Sequence, residues 1–98
     1  MRAVRFHQYG DASVLHVDDT DTPAIGDDQV PLRVVAAATN ILDIALRDGR
    51  WVRRSPALSP SGQGFDLAGT VVEIRSKVTD FAAGYEVIGW APRRAQAD

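Results

Sequence analysis

The sequence contains no cysteine. Without thiols the chain can form no disulfide, offer no thiolate nucleophile and build no cysteine-based zinc site. It also lacks a strong charge of either sign, because the formal net charge is −2 over 98 residues. The net charge therefore produces no electrostatic field that would attract nucleic acid or an anionic membrane, and we expect neither kind of partner.

Long hydrophobic runs are missing as well. The stretch from Met1 to His7 alternates polar and apolar residues, whereas a signal peptide has a continuous apolar core. No later run approaches the length that spans a bilayer. We therefore expect a cytoplasmic protein. The 45% hydrophobic and 24% charged content is typical of one globular domain.

Short stretches of alternating or β-branched apolar residues predict the strands of this domain. They lie near residues 4–7, 15–17, 30–36, 67–74 and 86–90. Residues 50–64, rich in proline, serine and glycine, are predicted to be irregular. Short strands joined by long loops favour a mainly β, barrel-like architecture.

One short helix is predicted after the third strand. Thr39 or Asn40 can cap its start, and Gly49 marks its end. Its apolar face is expected to consist of Ile41, Ile44 and Ala45.

Glycines at 62, 64 and 69 invite comparison with a nucleotide-binding loop. A dinucleotide fingerprint would need glycine where Leu67 stands, and a helix where this sequence predicts a strand. We therefore interpret Gly62, Gly64 and Gly69 as positions of positive φ or close backbone approach where a loop enters a strand.

Two histidines, His7 and His16, could approach one another across a hairpin, on the polar faces of neighbouring strands. Without a nearby third ligand they would make a poor catalytic metal site, so surface histidines are the favoured interpretation. Asp43 and Asp66 are the carboxylates nearest to structural junctions. Each could accept amide hydrogen bonds and orient a loop, or place a charge in a pocket, and the structural role is favoured.

The one basic and aromatic cluster surrounds Trp51 and contains Arg47, Arg50, Arg53 and Arg54. Guanidinium groups could bind a phosphate or stack on a planar ligand there. The favoured alternative is a solvated loop in which Trp51 covers part of the core.

Three further segments are each weak evidence alone, but their shared order and spacing are specific for one protein family. They are residues 36–43 (AAATNILD), residues 64–72 (GFDLAGTVV) and residues 78–84 (VTDFAAG). Together they resemble the N-terminal GroES-like catalytic domain of the medium-chain dehydrogenase/reductase superfamily, particularly its quinone oxidoreductase branch.

The resemblance implies a fold and a domain arrangement. Residues 1–90 would form a GroES-like partial β-barrel with one short helix, incomplete at the C-terminus. Residues 91–98 would be a tail that diverges from the family. The Rossmann domain that binds the cofactor in full-length relatives would be absent from this chain.

Zinc-dependent members of this superfamily carry a cysteine ligand at the position of Asn40 and a histidine ligand at that of Phe65. Neither asparagine nor phenylalanine can replace a thiolate or an imidazole as a zinc donor. The resemblance therefore indicates the branch that works without a metal, and no zinc is expected.

The implied reaction is hydride transfer from NADPH to a quinone or enone. By resemblance, Asn40 would contact the substrate or nicotinamide, Trp51 would form an aromatic wall, and Asp43 and Asp66 would line or support the site. Ala45 stands where some quinone reductases have a pocket tyrosine. Alone, the chain is expected to be inactive because the main NADPH-binding domain is missing.

Some positions depart from the family pattern, namely Ile41, Arg75 and Tyr85. They keep open a second interpretation, in which the chain is a non-enzymatic β module. Such a module would bind a protein partner or self-associate as a homo-oligomer through strand edges that truncation leaves open.

Overall fold

Strands dominate the computed structural model, which describes residues 1–53, 56 and 59–97. The strands are β1 (Arg2–Phe6), β2 (Leu15–Asp19), β3 (Leu32–Ala37), β4 (Ser61–Gly62), β5 (Asp66–Val71) and β6 (Glu86–Trp90). One α-helix, α1 (Ile41–Arg47), accompanies them in the described residues, together with a short 3-10 turn at Ala12–Val14. The predicted mainly β class with one short helix is confirmed.

The strands form two antiparallel sheets of three strands each, in the orders β2-β1-β4 and β3-β5-β6. In the first sheet Val4 lies opposite Val17, and Phe6 pairs with both Leu15 and Ser61. The pairing with Ser61 corrects the expectation that residues 50–64 are wholly irregular. The two sheets do not join into a closed barrel, because no described strand pairs across from one to the other.

The second sheet is built around β5. Leu67, Gly69 and Val71 point to the buried side, while the alternate residues Asp66 and Ala68 point to the other face. The strand ends at Val71, three residues before the predicted end. The Val72 amide still donates to the Pro31 carbonyl at 3.0 Å, but the neighbouring strands themselves begin at Leu32 and Glu86. Side-chain propensity alone does not carry the strand on to residue 74.

Helix α1 begins after Asn40, as predicted, and the chain leaves it through Gly49 at φ 86°. Of its predicted apolar face, Ala45 is buried as expected, but Ile41 is 76% exposed and Ile44 is also exposed, so the prediction is wrong for both isoleucines. Asp43 and Leu46 are buried in their place. The helix is rotated in this way because the Asp43 carboxylate, and not an isoleucine, contacts the loop beneath it.

The C-terminal segment packs back onto the first sheet. The Val4 amide donates to the Gln96 carbonyl at 2.9 Å, and the Gln96 amide donates to the Gln63 carbonyl at 3.0 Å. Ala3 and Ala97 form an isolated β-bridge, and Ala95 is fully buried. Residues 91–97 therefore connect β1 to the loop that precedes β5.

Asp11 caps the short 3-10 turn that leads into β2. Its Oδ1 accepts hydrogen bonds from the Ser13 hydroxyl and, at 2.9 Å, from the Ser13 amide. These bonds, first the hydroxyl and then the amide, with a smaller contribution from the nearby Arg47 charge, hold the pKa of Asp11 below its ordinary value of 3.8. The ionised carboxylate therefore stabilises the fold.

A pH dependence follows from this lowered pKa. The folded state binds the Asp11 proton less tightly than the unfolded state, so the stabilisation is complete above the unfolded pKa and is lost as pH falls through the folded pKa. We expect Asp11→Asn to lower the urea unfolding midpoint at about pH 6, and this deficit to shrink toward about pH 2. Asp21→Asn, in the exposed loop after β2, is the control. A deficit from Asp11→Asn that stays constant across this range would contradict the assignment.

Candidate functional site

The start of α1 is fixed by reciprocal hydrogen bonds between Asn40 and Asp43. The Asn40 Oδ1 accepts the Leu42 amide at 2.8 Å, and the Asp43 Oδ2 accepts the Asn40 amide at 3.0 Å. This capping box satisfies amides that the first helical turn leaves without partners. It holds the half-buried Asn40 side chain in one orientation at the end of the segment that follows β3.

Asp43 also ties the helix to the loop before β5. Its second oxygen, Oδ1, accepts the Gly64 amide at 2.8 Å, and the residue is 1% exposed. Both carboxylate oxygens are thus occupied by backbone amides, one from each segment. Of the two roles considered for this carboxylate, the geometry favours orienting a loop over contacting a ligand.

Asp66 lies at the first position of β5, beside a shallow apolar cleft. The Ala38 amide donates to the Asp66 carbonyl at 2.9 Å, which brings the approach to Asn40 against the start of β5. The cleft has a volume of about 690 Å³ and is lined by residues 36–38, 66–68 and 88–90. Its only ionisable lining side chain among the described residues is Asp66, since the others are alanine, leucine, isoleucine, glycine and tryptophan.

Phe65 occupies the position at which the resemblance placed a histidine ligand in zinc-dependent relatives. Its ring is buried and stacks on Trp90, with centroids 6.1 Å apart and planes inclined by 25°. The contact connects the loop after Gly64 to β6, where Trp90 lines the cleft.

Trp51 and the basic cluster lie beyond the other end of α1. Trp51 is in the turn after the helix and is exposed. Two of the arginines are engaged locally: Arg47 donates to the Gly10 carbonyl, and Arg50 pairs with Asp48 at 2.8 Å. Arg53 lies in the same exposed turn, and the predicted contribution of residue 54 lies outside the described residues.

The two histidines do approach one another on the β1–β2 hairpin, as predicted. The rings of His7 and His16 are 6.0 Å apart, and the His7 Nε2 is 2.7 Å from the Asp18 carboxylate. Arg5 approaches the same carboxylate at 3.2 Å. In the described part of the chain, no group of three or more histidine or carboxylate residues is arranged to bind a metal ion.

The structure thus brings Asn40 and Asp43 together. It joins the Asp66 backbone to Ala38, two residues before Asn40, and leaves Trp51 at the opposite end of α1. Sequence analysis anticipated the positive φ of Gly64, which is 85°. It missed Gly64 as the partner of Asp43, and it missed Gln96, whose Nε2 donates to the Thr39 hydroxyl at 3.0 Å. No local pattern in the tail signalled that contact.

Comparison with known proteins identifies the family. A profile of the alcohol dehydrogenase GroES-like domain matches residues 26–97, and the chain belongs to this family, within the medium-chain dehydrogenase/reductase superfamily. The chain is 39% identical over 88 residues to the chloroplastic NADPH-dependent alkenal/one oxidoreductase of Arabidopsis thaliana. This match covers 89% of this chain and 22% of that enzyme. The expected resemblance to NADPH-dependent oxidoreductases is confirmed.

Solved structures agree with this assignment. The quinone oxidoreductase of Coxiella burnetii superposes with a TM-score of 0.83 at 34% identity, over 94% of this chain and 30% of that one. The Escherichia coli quinone oxidoreductase complexed with NADPH gives a TM-score of 0.85 at 26% identity, over 97% and 28%. The GroES-like fold is therefore confirmed, and the chain spans less than a third of the length of these relatives.

The chain was also expected to carry no membrane-spanning run. None of the helices in its described portion is long and apolar enough to cross a membrane.

Proposed function

We propose that this chain forms the substrate-side domain of an NADPH-dependent quinone or enone reductase. The observation that carries the proposal is the rigid junction at the start of α1, where Asn40 is held by a capping box anchored to Gly64 and follows, two residues on, Ala38 at the border of an apolar cleft. The identity to an NADPH-dependent alkenal/one oxidoreductase supports the same reaction class. We further propose that the protein acts in the cytoplasm, although the plant relative is chloroplastic.

The Oδ1 of Asn40 accepts the Leu42 amide, and the Nδ2 of the same side chain is its hydrogen-bond donor. A carbonyl oxygen of a quinone, an enone or the nicotinamide carboxamide is a suitable acceptor for that group. Asp43 positions Asn40 and does not itself contact the reactants, since both of its oxygens bind backbone amides. It acts on the reaction by holding the donor in place.

Asp66 and Trp51 contribute in different ways to this proposal. The apolar lining of the cleft suits a planar ring, and Asp66 places a carboxylate at its border. Trp51 has an exposed aromatic ring in the turn after α1, at the end of the helix opposite Asn40. Its ring could therefore cover a ligand only at that end of the helix. Neither Asn40 nor Phe65 has a zinc-donating side chain, so the proposed chemistry requires no zinc.

The described residues suit the reactive end of the cofactor better than its phosphates. A pyrophosphate site needs free amides at a helix N-terminus reached through a glycine-rich turn. Here the helix is entered through Thr39 and Asn40, and the Asn40 side chain occupies the first-turn amide of Leu42. When bound, NADPH would supply the hydride. We propose that its phosphates are held by a second domain, so that this chain alone does not turn over.

The proposal is tested by titrating the 15N-labelled chain with 1,4-naphthoquinone and, separately, with NADPH, while NMR shifts are followed. We expect naphthoquinone to shift the amides of residues 36–42 and 66–68. Asn40→Ser keeps an oxygen that caps the helix but removes the amide donor. We therefore expect it to weaken quinone binding by about tenfold, the equivalent of one hydrogen bond, with only a few tenths of a kcal/mol lost in stability.

Thr39→Val is the matched control: it removes the hydroxyl that accepts the Gln96 side-chain amide but leaves the cap intact, and it should leave quinone binding unchanged. Equal binding by wild type and Asn40→Ser would overturn the role of Asn40. The absence of any quinone-dependent shift would favour the non-enzymatic β module. NADPH oxidation by the isolated chain, at the rate of a complete reductase, would overturn the need for a second domain.

A further inference from the structure

The cleft face of the second sheet is built in rows that run across the three strands. One row consists of Ala36, Ala68 and Ile88, and the next row holds Asp66 beside Trp90. The two alanines keep the middle of the face low, whereas Ile88 and Trp90 project from β6 and are 89% and 70% exposed. A planar ring lying on the alanines would therefore have apolar contacts beneath it and along one side.

Asp66 places a carboxylate at one end of this apolar face. Because Asp66 and Ala68 alternate with the buried Leu67, both of their side chains lie on the cleft side of β5. The Asp66 carbonyl accepts the Ala38 amide. Within residues 1–53, 56 and 59–97, no cation or hydrogen-bond donor contacts the carboxylate, so nothing in that part of the chain offsets its charge.

Further along the same face of the described sheet, Arg33 and Glu86 stand on either side of Thr70. Thr70 is four residues from Asp66, which is about 13 Å along a strand. This exceeds the Debye length of about 8 Å at physiological ionic strength. The charges of Arg33 and Glu86 are also opposite in sign, so they oppose one another. A ligand beside Asp66 therefore experiences mainly the negative charge of that carboxylate.

We propose that Asp66 determines the charge of the ring that this cleft accepts, so that neutral and cationic planar rings bind and anionic ones are rejected. The inference rests on the proposed reductase function and narrows its substrate class to quinones and enones without an acidic substituent near the ring. A unit charge about 6 Å from the carboxylate, at an effective dielectric constant of about 40, changes the dissociation constant by about tenfold.

Three quinones that share one ring system test this selection. They are 1,4-naphthoquinone, its 2-sulfonate and its 2-(trimethylammonio)methyl derivative. Each is titrated into the 15N-labelled chain, and the amide shifts of residues 66–68 and 88–90 are followed. We expect the sulfonate to bind about tenfold more weakly than naphthoquinone and the ammonium compound to bind more tightly. Both substituents are bulky, so effects of opposite direction arise from charge and not from size.

Asp66→Asn removes the charge and preserves the shape of the side chain. The quantity measured is the dissociation constant of the sulfonate divided by that of naphthoquinone, which cancels any change that affects both ligands alike. We expect this ratio to fall to within about twofold of one. Asp80→Asn is the matched control, because it changes the net charge equally in the exposed connection between the far end of β5 and β6. It should keep the wild-type ratio.

A salt series on the wild-type chain gives a test that needs no variant to fold. At about 1 M salt the Debye length is only about 3 Å, so the ratio should shrink severalfold from its value at low salt. A ratio that is the same in wild type and Asp66→Asn, or one that salt does not change, would overturn the proposal. Equal weakening by both charged substituents would overturn it too. In all three cases naphthoquinone itself still binds, whereas failure of the proposed function would abolish its binding, and this selection would fall with it.

Discussion

Asp43→Ala is expected to lower the free energy of unfolding by about 3–6 kcal/mol. The substitution removes a buried carboxylate that accepts the amides of Asn40 and Gly64, at 3.0 and 2.8 Å. Hydrogen bonds to a charged group contribute about 1.5–3 kcal/mol each, and a buried amide left without a partner keeps its full desolvation cost. Since a domain of this size has a total stability of only about 5–15 kcal/mol, the variant should be close to unfolding.

Asp48→Ala is the matched control for this prediction. Asp48 terminates the same helix and also accepts two hydrogen bonds, from the Arg50 amide at 3.0 Å and from its guanidinium at 2.8 Å. It lies nearer the surface, where such pairs contribute at most about 1 kcal/mol. Urea unfolding of both variants, followed by circular dichroism, should therefore give losses that differ severalfold. Similar losses would show that Asp43 does not connect the helix to the loop.

Asp43→Asn separates the shape of the side chain from its charge. The amide keeps one oxygen that can accept a hydrogen bond, but its nitrogen would face a backbone amide, donor against donor. We expect Asp43→Asn to lower the free energy of unfolding by less than Asp43→Ala and by more than Asp48→Ala. The same variant should weaken naphthoquinone binding only as far as it displaces Asn40, which is the behaviour of a positioning residue.

The helix cap and the tail mark the limits of prediction from this sequence. Asn40 and the helix start could be predicted because a capping residue acts on amides two or three positions away. The buried face of the helix could not, since Ile41 and Ile44 match the apolar pattern better than Asp43 does. Burial of a carboxylate depends on a partner 21 residues away, the Gly64 amide. Hydrophobic periodicity does not encode such a contact.

The C-terminal segment shows the same limit more strongly. Residues 91–97 offered no strand pattern, yet Ala95 is fully buried and Gln96 bonds to Val4, Gln63 and Thr39. Two of these bonds use backbone groups, which every residue has. Only the tertiary position of β1 and of the loop before β5 decides that the segment packs there. The family resemblance conveyed the general fold, but the residues of this contact had to be found in the structure.

Gly64→Ala is expected to cost about 2–5 kcal/mol of unfolding free energy, from two separate causes. The residue has φ of 85°, a conformation that costs an L-residue about 1–2 kcal/mol. A methyl group there would also lie 2.9 Å from the Ala95 Cβ and 3.1 Å from the Gln96 amide nitrogen. Overpacking of this kind costs a further 1–3 kcal/mol or so, and it would displace the tail from the loop.

Gly84→Ala isolates the first cause, because Gly84 has nearly the same φ of 90° but no atom within 4 Å of an added Cβ. We expect it to cost only the backbone strain, about 1–2 kcal/mol. The difference between the two variants, measured by urea unfolding, then gives the cost of packing the added methyl group against the tail. If the contact between the tail and the loop also positions the amide that Asp43 accepts, Gly64→Ala should lose part of the quinone binding that Gly84→Ala retains. Equal losses of stability would show that the tail does not pack against Gly64 in solution.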